Sequence, residues 1–224
     1  MIDISISPEI TEAGIAVTLG CLYCGGVTVE RKHDGLRAEL DAEEKRRLDA
    51  LAGGPASEVP QIAAARKAYR ALGKDPARYR VSSEALMRRL LKDQGIYRIN
   101  TAVDTNNLIS LRTGHSVGAF RAELLEPPVV LRPAGPGETY TAIGRGPMNL
   151  EALPVLADAQ GPFGSPTSDS ERTMISPETE TLLLTIVAFG GDPEMEAWLA
   201  WSAEKLAVYC AATDIETAVI SNHA

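Results

Sequence analysis

Apolar and polar positions alternate over residues 2–6 and again from 15 to 21 or beyond, which predicts two strands separated by breaks at Ser7-Pro8 and Gly14. From about 41 to 51, with a start that allows extension upstream, the pattern turns helical and stops at Gly53-Gly54-Pro55. Ser57 is a candidate cap for the next helix, which runs to Leu72-Gly73. Residues 82–92 predict a third, with Ser82 or Ser83 as cap, Glu84 in the first turn where the helix dipole favours an acid, and Leu86, Leu90 and Leu91 on one face. These helices are expected to pack on one side of a sheet. Beyond residue 99 the chain reads as strand-rich. Residues 129–132 and 138–143 form a hairpin pattern around the turn 133–137, Gly144-Arg145-Gly146-Pro147 turns the chain again, and 154–158 is another strand. Residues 161–170 are too rich in glycine and proline for regular structure. The run 181–189 is apolar and β-branched. Asp192 as cap and Pro193 at the first helical position then start a helix through about 211, with Met195, Trp198, Leu199 and Leu206 as expected buried contacts.

One stretch departs from this pattern. Residues 99–111 read as a buried strand running into a helix, yet carry Asn100, Thr101, Asp104, Thr105, Asn106, Asn107 and Ser110 among the apolar positions. Asn106 and Asn107 together offer two carboxamides, each with a carbonyl acceptor and two N–H donors, a set suited to gripping a small polar ligand or orienting a water. The alternative is that they cap a helix starting near Leu108. Residues 161–172 form a second candidate element: glycines let a backbone approach a ligand closely, and Ser165, Thr167, Ser168 and Asp169 supply donors and acceptors. A polar surface loop has the same composition, and Asp169 and Arg172 are placed to pair with each other and fix it.

Length and composition narrow the classes. A chain of 224 residues, 45% hydrophobic, supplies one substantial core. There is no internal repeat or linker, so a single α+β domain spanning 1–224 is expected. The absence of an 18-residue apolar run or a secretory leader pattern predicts a cytoplasmic protein with no membrane contact. Three cysteines fit a reducing compartment. Cys21 and Cys24 form one CxxC with His33 as the nearest further ligand, which is short of a zinc set, and they fall in a predicted strand rather than at a helix start. Two small buried side chains are the simplest reading, and no metal or cofactor is expected. The formal charge of −8 is uneven: residues 66–98 carry ten basic side chains against three acidic ones, a local +7, which leaves −15 elsewhere. Such a strip can dock a phosphate backbone, with Arg66, Arg70, Arg88, Arg89 and Lys92 as candidate contacts, or can be the solvated face of helices. DNA is not expected as a partner.

The motifs Val103-Asp104-Thr105-Asn106-Asn107 with Ser110-Leu111, the segment 114–120, Leu131-Arg132, Gly137-Glu138-Thr139, and Gly161-Pro162-Phe163-Gly164 with Asp169 and Arg172-Thr173 occur in order. Together they resemble the B3/B4 module of the phenylalanyl-tRNA synthetase beta subunit, and most of all its stand-alone relatives, over roughly residues 60–215, with 1–58 as an N-terminal extension packed on that core. The resemblance implies a fold of mixed and antiparallel sheets in a sandwich-like core flanked by helices. It implies an editing function, hydrolysis of tyrosine mischarged onto phenylalanine tRNA, with tRNA or aminoacyl-tRNA as partner and an amino-acid moiety as ligand.

By that resemblance Asn106 and Asn107 take the places of the module's threonine–asparagine pair, while its pocket histidine falls at Gly118. His115, three residues earlier, is the substitute candidate, and the module's glutamate has no residue-by-residue counterpart. The glycine-rich region lines the amino-acid pocket in the family, which makes Gly118, Gly161, Gly164, Ser165, Ser168 and Asp169 candidate substrate contacts. Glu138 reads as a structural hairpin residue. No GxSxG elbow or HExxH motif is present. Three functions compete: a trans-editing deacylase built on Asn106, Asn107 and His115, a module that binds an amino acid or related metabolite without chemistry, and an RNA-binding or complex-forming accessory protein.

Overall fold

The computed structural model describes residues 2–223. In chain order these form β1 (Ile4–Ile6), α1 (Pro8–Glu12), β2 (Val17–Gly25), α2 (Asp34–Leu51), α3 (Pro60–Ala71), α4 (Ser82–Leu90), α5 (Thr101–Thr113), β3 (Ser116–Arg121), β4 (Val129–Pro133), β5 (Thr139–Ala142), β6 (Gly146–Asn149), β7 (Pro154–Asp158), β8 (Gly161–Gly164), β9 (Leu182–Phe189), α6 (Met195–Cys210) and β10 (Thr213–Ser221).

Two four-stranded sheets face each other. One has the order β1-β4-β7-β8, parallel only between β1 and β4; the other, β10-β2-β9-β3, is antiparallel throughout. Between them lies the main core, in which Val17, Leu19, Cys21, Leu183 and Val187 meet Val129, Leu131, Val155 and Phe163, with Ile62 and Tyr69 of α3 and Met87 of α4 closing one side. The other face of the antiparallel sheet packs Leu22, Cys24, Leu184 and Ile186 against α5 and α6 through Ile109, Leu199 and Leu206. A third cluster joins α2, α4 and α5 through Leu36, Leu40, Leu90 and Leu108. The α+β architecture of mixed and antiparallel sheets flanked by helices is therefore the one expected. The segment expected as an N-terminal extension supplies β1 and β2, and β2 lies between β10 and β9.

Cys21 and Cys24 sit three apart on β2, so they project to opposite faces of the sheet and enter different cores. Both are fully buried, which pushes their thiols up to about 12. His33 caps α2, its Nδ1 accepting from the Leu36 amide at 3.2 Å.

Several elements differ from the pattern-based expectation. Residues 129–132 and 138–143 do not form a hairpin: β4 pairs with β1 and β7, while β5 pairs with β6 across the turn at 143–145. The backbone of Ala134 exchanges hydrogen bonds with 152 and 153 instead, and Glu138 accepts from Arg132 and from the Gly135 amide, which fixes the intervening turn. Residues 161–164, expected to be irregular, form β8 on the edge beside β7, where Pro162 costs no ladder bond on its open side. Helix α2 starts at Asp34, upstream of 41, and α3 starts at Pro60 after a short 3-10 turn rather than at Ser57. Strands β3 and β10 had no counterpart in the pattern.

Candidate functional site

Helix α5 begins seven residues before Leu108. Asn100 is its N-cap, with Oδ1 accepting from the Val103 amide at 2.9 Å, and Gly114 ends it in the left-handed region at φ 79°. Asn106 and Asn107 are thus mid-helix residues rather than caps, and a mid-helix asparagine is an unfavourable choice for the helix itself. Both line a cavity of about 150 Å³ with Ser110, Leu86 and Arg89 of α4 and its flank, Val117, Thr167, Tyr97 and Arg145. A second cavity, of about 10 Å³, lies where the two sheets meet; Ser116, Gly118, Phe120, Ser165, Asp169 and Thr185 line it. No residue lines both, but they draw on neighbouring residues of the segments 116–118 and 165–169.

Polar bookkeeping singles out this region. Among the described residues, two buried side-chain oxygens have no hydrogen-bond partner, Asn106 Oδ1 and Thr185 Oγ1. One residue lines the larger cavity, the other the smaller. Buried polar atoms in folded proteins are nearly all paired, so these two orphans are places where an ordered water or a ligand would complete the set.

The walls around them are well braced. Ser165 Oγ donates to the Ser168 carbonyl at 2.8 Å and accepts from the amides of Thr167 and Ser168, and the Tyr140 hydroxyl donates to Ser165 Oγ at 3.1 Å. The Tyr69 hydroxyl meets Thr167 Oγ1 at 2.9 Å, which ties this loop to α3. Asp169 does not pair with Arg172. Arg172 instead holds Asp158 at 2.8 Å, and Asp169 takes a backbone N–H from Ser165 while burial pushes its carboxyl up to about 7. Gly118 and Gly164 enclose the Phe120 ring: a Cβ on either would come within 2.5 Å of ring carbons. Gly161 stands apart, its φ of 110° serving the β7–β8 turn, and the carbonyl of Ser168 accepts from Ser165 within the loop.

His115 is elsewhere. Its Nε2 lies 2.8 Å from Asp192 Oδ2, which also accepts from Trp198 Nε1 at 3.2 Å, and it lines a separate cavity of about 300 Å³ with Gln61, Gly190 and Gly191. Burial holds the imidazole below its usual pKa against the pull of Asp192.

The basic strip is divided. Arg66 donates to both oxygens of Glu84, a carboxylate 1% exposed, at 3.1 and 2.9 Å, and Arg98 pairs with Asp41 and Glu44. Arg89 donates to the carbonyls of Gly95 and Gln94 and stacks 3.7 Å from the centre of the exposed Tyr97 ring, at the mouth of the larger cavity. Arg70, Arg88 and Lys92 are exposed. Sequence reasoning missed Tyr97, Arg145, Ser116 and Thr185. Thr185 alone carried a signal, as the one hydroxyl in the otherwise apolar run of β9.

The chain is a B3/4 domain protein. The family model of that name matches residues 64–193, and the chain belongs to that family. It is similar to the phenylalanine–tRNA ligase beta subunit of Moorella thermoacetica, with 32% identity over 112 residues that cover 49% of this chain and 14% of the relative. Among solved structures it resembles an N-terminal fragment of the phenylalanyl-tRNA synthetase beta subunit from Pyrococcus horikoshii, with a TM-score of 0.51 and 13% identity, over 100% of this chain and 55% of that one. The chain thus spans about half of that fragment and a seventh of the whole Moorella subunit. No helix among the described residues is long and apolar enough to cross a membrane.

Proposed function

We propose that this chain is an aminoacyl-tRNA deacylase that acts in trans on mischarged esters, with the Asn106/Asn107 cleft as its catalytic site. The observation that carries the reading is the unpaired, buried Asn106 Oδ1 on this cleft, and the similarity of the chain to a phenylalanine–tRNA ligase beta subunit supports it. An aminoacyl ester is already activated, so holding a water and stabilising the developing oxyanion suffices for hydrolysis without a protein nucleophile. Asn106 Oδ1 would take a hydrogen bond from the α-amino group or the attacking water, and the Asn107 carboxamide would donate to the oxyanion. At the mouth, the Tyr97 ring and the guanidinium groups of Arg89 and Arg145 suit the terminal nucleotide, the ring by stacking on a base and the cations by meeting phosphate. Exposed Arg70, Arg88 and Lys92 would extend that contact.

A second reading, binding of an amino acid or related metabolite without turnover, is favoured by one observation: His115 is bonded to Asp192 in a different cavity, so the cleft holds no histidine. A deacylation panel of correctly charged and mischarged tRNAs separates the two. Turnover that falls roughly 100-fold or more in Asn107→Ala at matched folded protein supports the deacylase. No turnover on any member, with amino-acid binding retained, moves the function to the binding module.

A further inference from the structure

The smaller cavity carries information about which side chain an amino-acid ligand bears, and the inference rests on the reading of the cleft given above. The Phe120 ring is 1% exposed and lies edge-on to Phe163 at 4.9 Å. It occupies the space that the missing side chains of Gly118 and Gly164 leave open, since a Cβ at either position would sit 2.5 Å from its carbons. The two glycines therefore house a ring belonging to the chain itself. What remains beside the ring is about 10 Å³, room for a single water-sized group.

That space is polar on several sides. Thr185 Oγ1 has no partner, and Thr185 is 1% exposed on β9 directly opposite Gly118 of β3. Ser116, Ser165 and Asp169 are the other polar side chains of its lining, among the apolar Leu156, Pro166 and Val187. A hydroxyl placed there can both donate and accept, and so satisfies Thr185 Oγ1 while donating to the Asp169 carboxylate, which a methyl group cannot do. An aromatic side chain has no room unless Phe120 moves.

We infer that Phe120 and Thr185 set the specificity of this cleft for an amino-acid moiety with a short hydroxylated side chain, of the serine or threonine kind, and against aromatic ones. Phe120 acts as a permanent filler of the aromatic-sized space, and Thr185 as the hydroxyl reader.

The test compares initial deacylation rates on tRNAs charged with serine, threonine, alanine, phenylalanine and tyrosine, using the full chain and the variants Thr185→Val and Phe120→Leu. The parent is expected to prefer seryl or threonyl over alanyl esters by about tenfold, the worth of one buried hydrogen bond. Thr185→Val, nearly isosteric, removes that preference while the fold stays intact. Phe120→Leu raises the rate on tyrosyl or phenylalanyl esters relative to seryl. A parent that hydrolyses tyrosyl or phenylalanyl esters as fast as seryl overturns the inference and leaves the deacylase reading standing; so does an unchanged serine-to-alanine ratio in Thr185→Val.

If no ester turns over, the deacylase reading fails by itself, and the inference is read from binding of free L-serine, L-alanine and L-tyrosine to the same three proteins. Serine binding that Thr185→Val abolishes supports it. Equal affinity for serine and tyrosine in the parent, or no serine binding, overturns it.

Discussion

Replacing Arg66 separates a structural cation from a tRNA contact, because its guanidinium is the main partner of a carboxylate that has lost nearly all its water. Glu84 is 1% exposed and receives two bonds from Arg66 Nη1, at 3.1 and 2.9 Å. The other cation nearby, Arg88, stands 3.8 Å from Glu84 Oε1 and is 45% exposed, so it offers weak, screened compensation. Breaking a buried pair from one side costs roughly 3–5 kcal/mol, and the residual pull of Arg88 places Arg66→Met near the lower end, about 3 kcal/mol. For a domain of this size that corresponds to a fall in melting temperature of roughly 6–12 °C. Substituting both partners, Arg66→Met with Glu84→Met, removes the stranded charge and should return stability to within about 1 kcal/mol of the parent. Urea denaturation of the four proteins of the cycle measures both numbers. A single variant as stable as the parent, or a double variant no better than Arg66→Met, would refute the argument that Arg66 serves the fold.

Three further outcomes follow from the site. Asn106→Ala removes an orphaned carbonyl and a poor mid-helix residue together, so it should stabilise the free protein by about 1 kcal/mol in urea while abolishing turnover or ligand binding. His115→Ala should leave cleft activity within about twofold of the parent but lower stability by roughly 2 kcal/mol, since it strands Asp192 Oδ2 beside one remaining donor; a loss of activity at matched folding would place the histidine in the reaction after all. Asp169 has a folded pKa near 7 against an unfolded value near 3.9, so the folded state holds the extra proton between them. Its contribution is most favourable below the lower value, declines as pH rises between the two, and levels off above 7. Thermal melts from pH 4 to 8 should therefore show Asp169→Asn gaining on the parent across that window, and a gap that does not change with pH would contradict it.

How much of this was legible depends on whether local pattern or tertiary contact decided each element. Strand β9 is buried at every one of its eight positions, because sheet and helices cover both faces, and so it read as a continuous apolar run. Strand β10 is an edge strand with most positions exposed, and its Thr213-Asp214-Ile215-Glu216 start carries no alternation to detect. In β3 the alternation breaks at Gly118, a glycine required by the approach of Phe120 rather than by strand geometry. The 129–143 segment has the apolar pattern and turn residues of a hairpin; only the competition of β1 and β7 for the edges of β4 decides otherwise.

The site divides the same way. Asn106 and Asn107 were conspicuous because amides stood where a buried strand running into a helix should be apolar; the structure sets them mid-helix, where they work against the helix, so something other than local stability has to account for them. Thr185 gave only a faint signal, as the single hydroxyl of an apolar run, because its β-branching suits a strand as well as valine does. Tyr97 and Arg145 lie in separate connections, before α5 and between β5 and β6, and only the packing of α4, α5 and the loop at 165–169 brings them to one rim.

The fate of the basic strip bears on how such a protein would hold an RNA end. Arg66 and Arg98 are committed to carboxylates, Arg89 braces a loop while facing the cleft, and Lys74 and Arg78 lie over the Tyr79 ring. On a chain of net charge −8, the exposed Lys67, Arg70, Arg80, Arg88 and Lys92 with the rim pair Arg89 and Arg145 are the strip's and the cleft's available cations. If five such contacts formed with a single-stranded end, log K would fall with log salt at a slope of only about −3 to −4. Phosphate attraction of that size gives weak, readily reversed docking, and the acidic remainder of the surface opposes it further. On the proposed reading, selectivity would come from the two cavities, where a polar ligand that pairs the free oxygens of Asn106 and Thr185 would gain more than from any single surface charge. If the chain surveys charged tRNAs as proposed, weak docking with discriminating pockets would be the useful division, because a correctly charged molecule must leave unharmed.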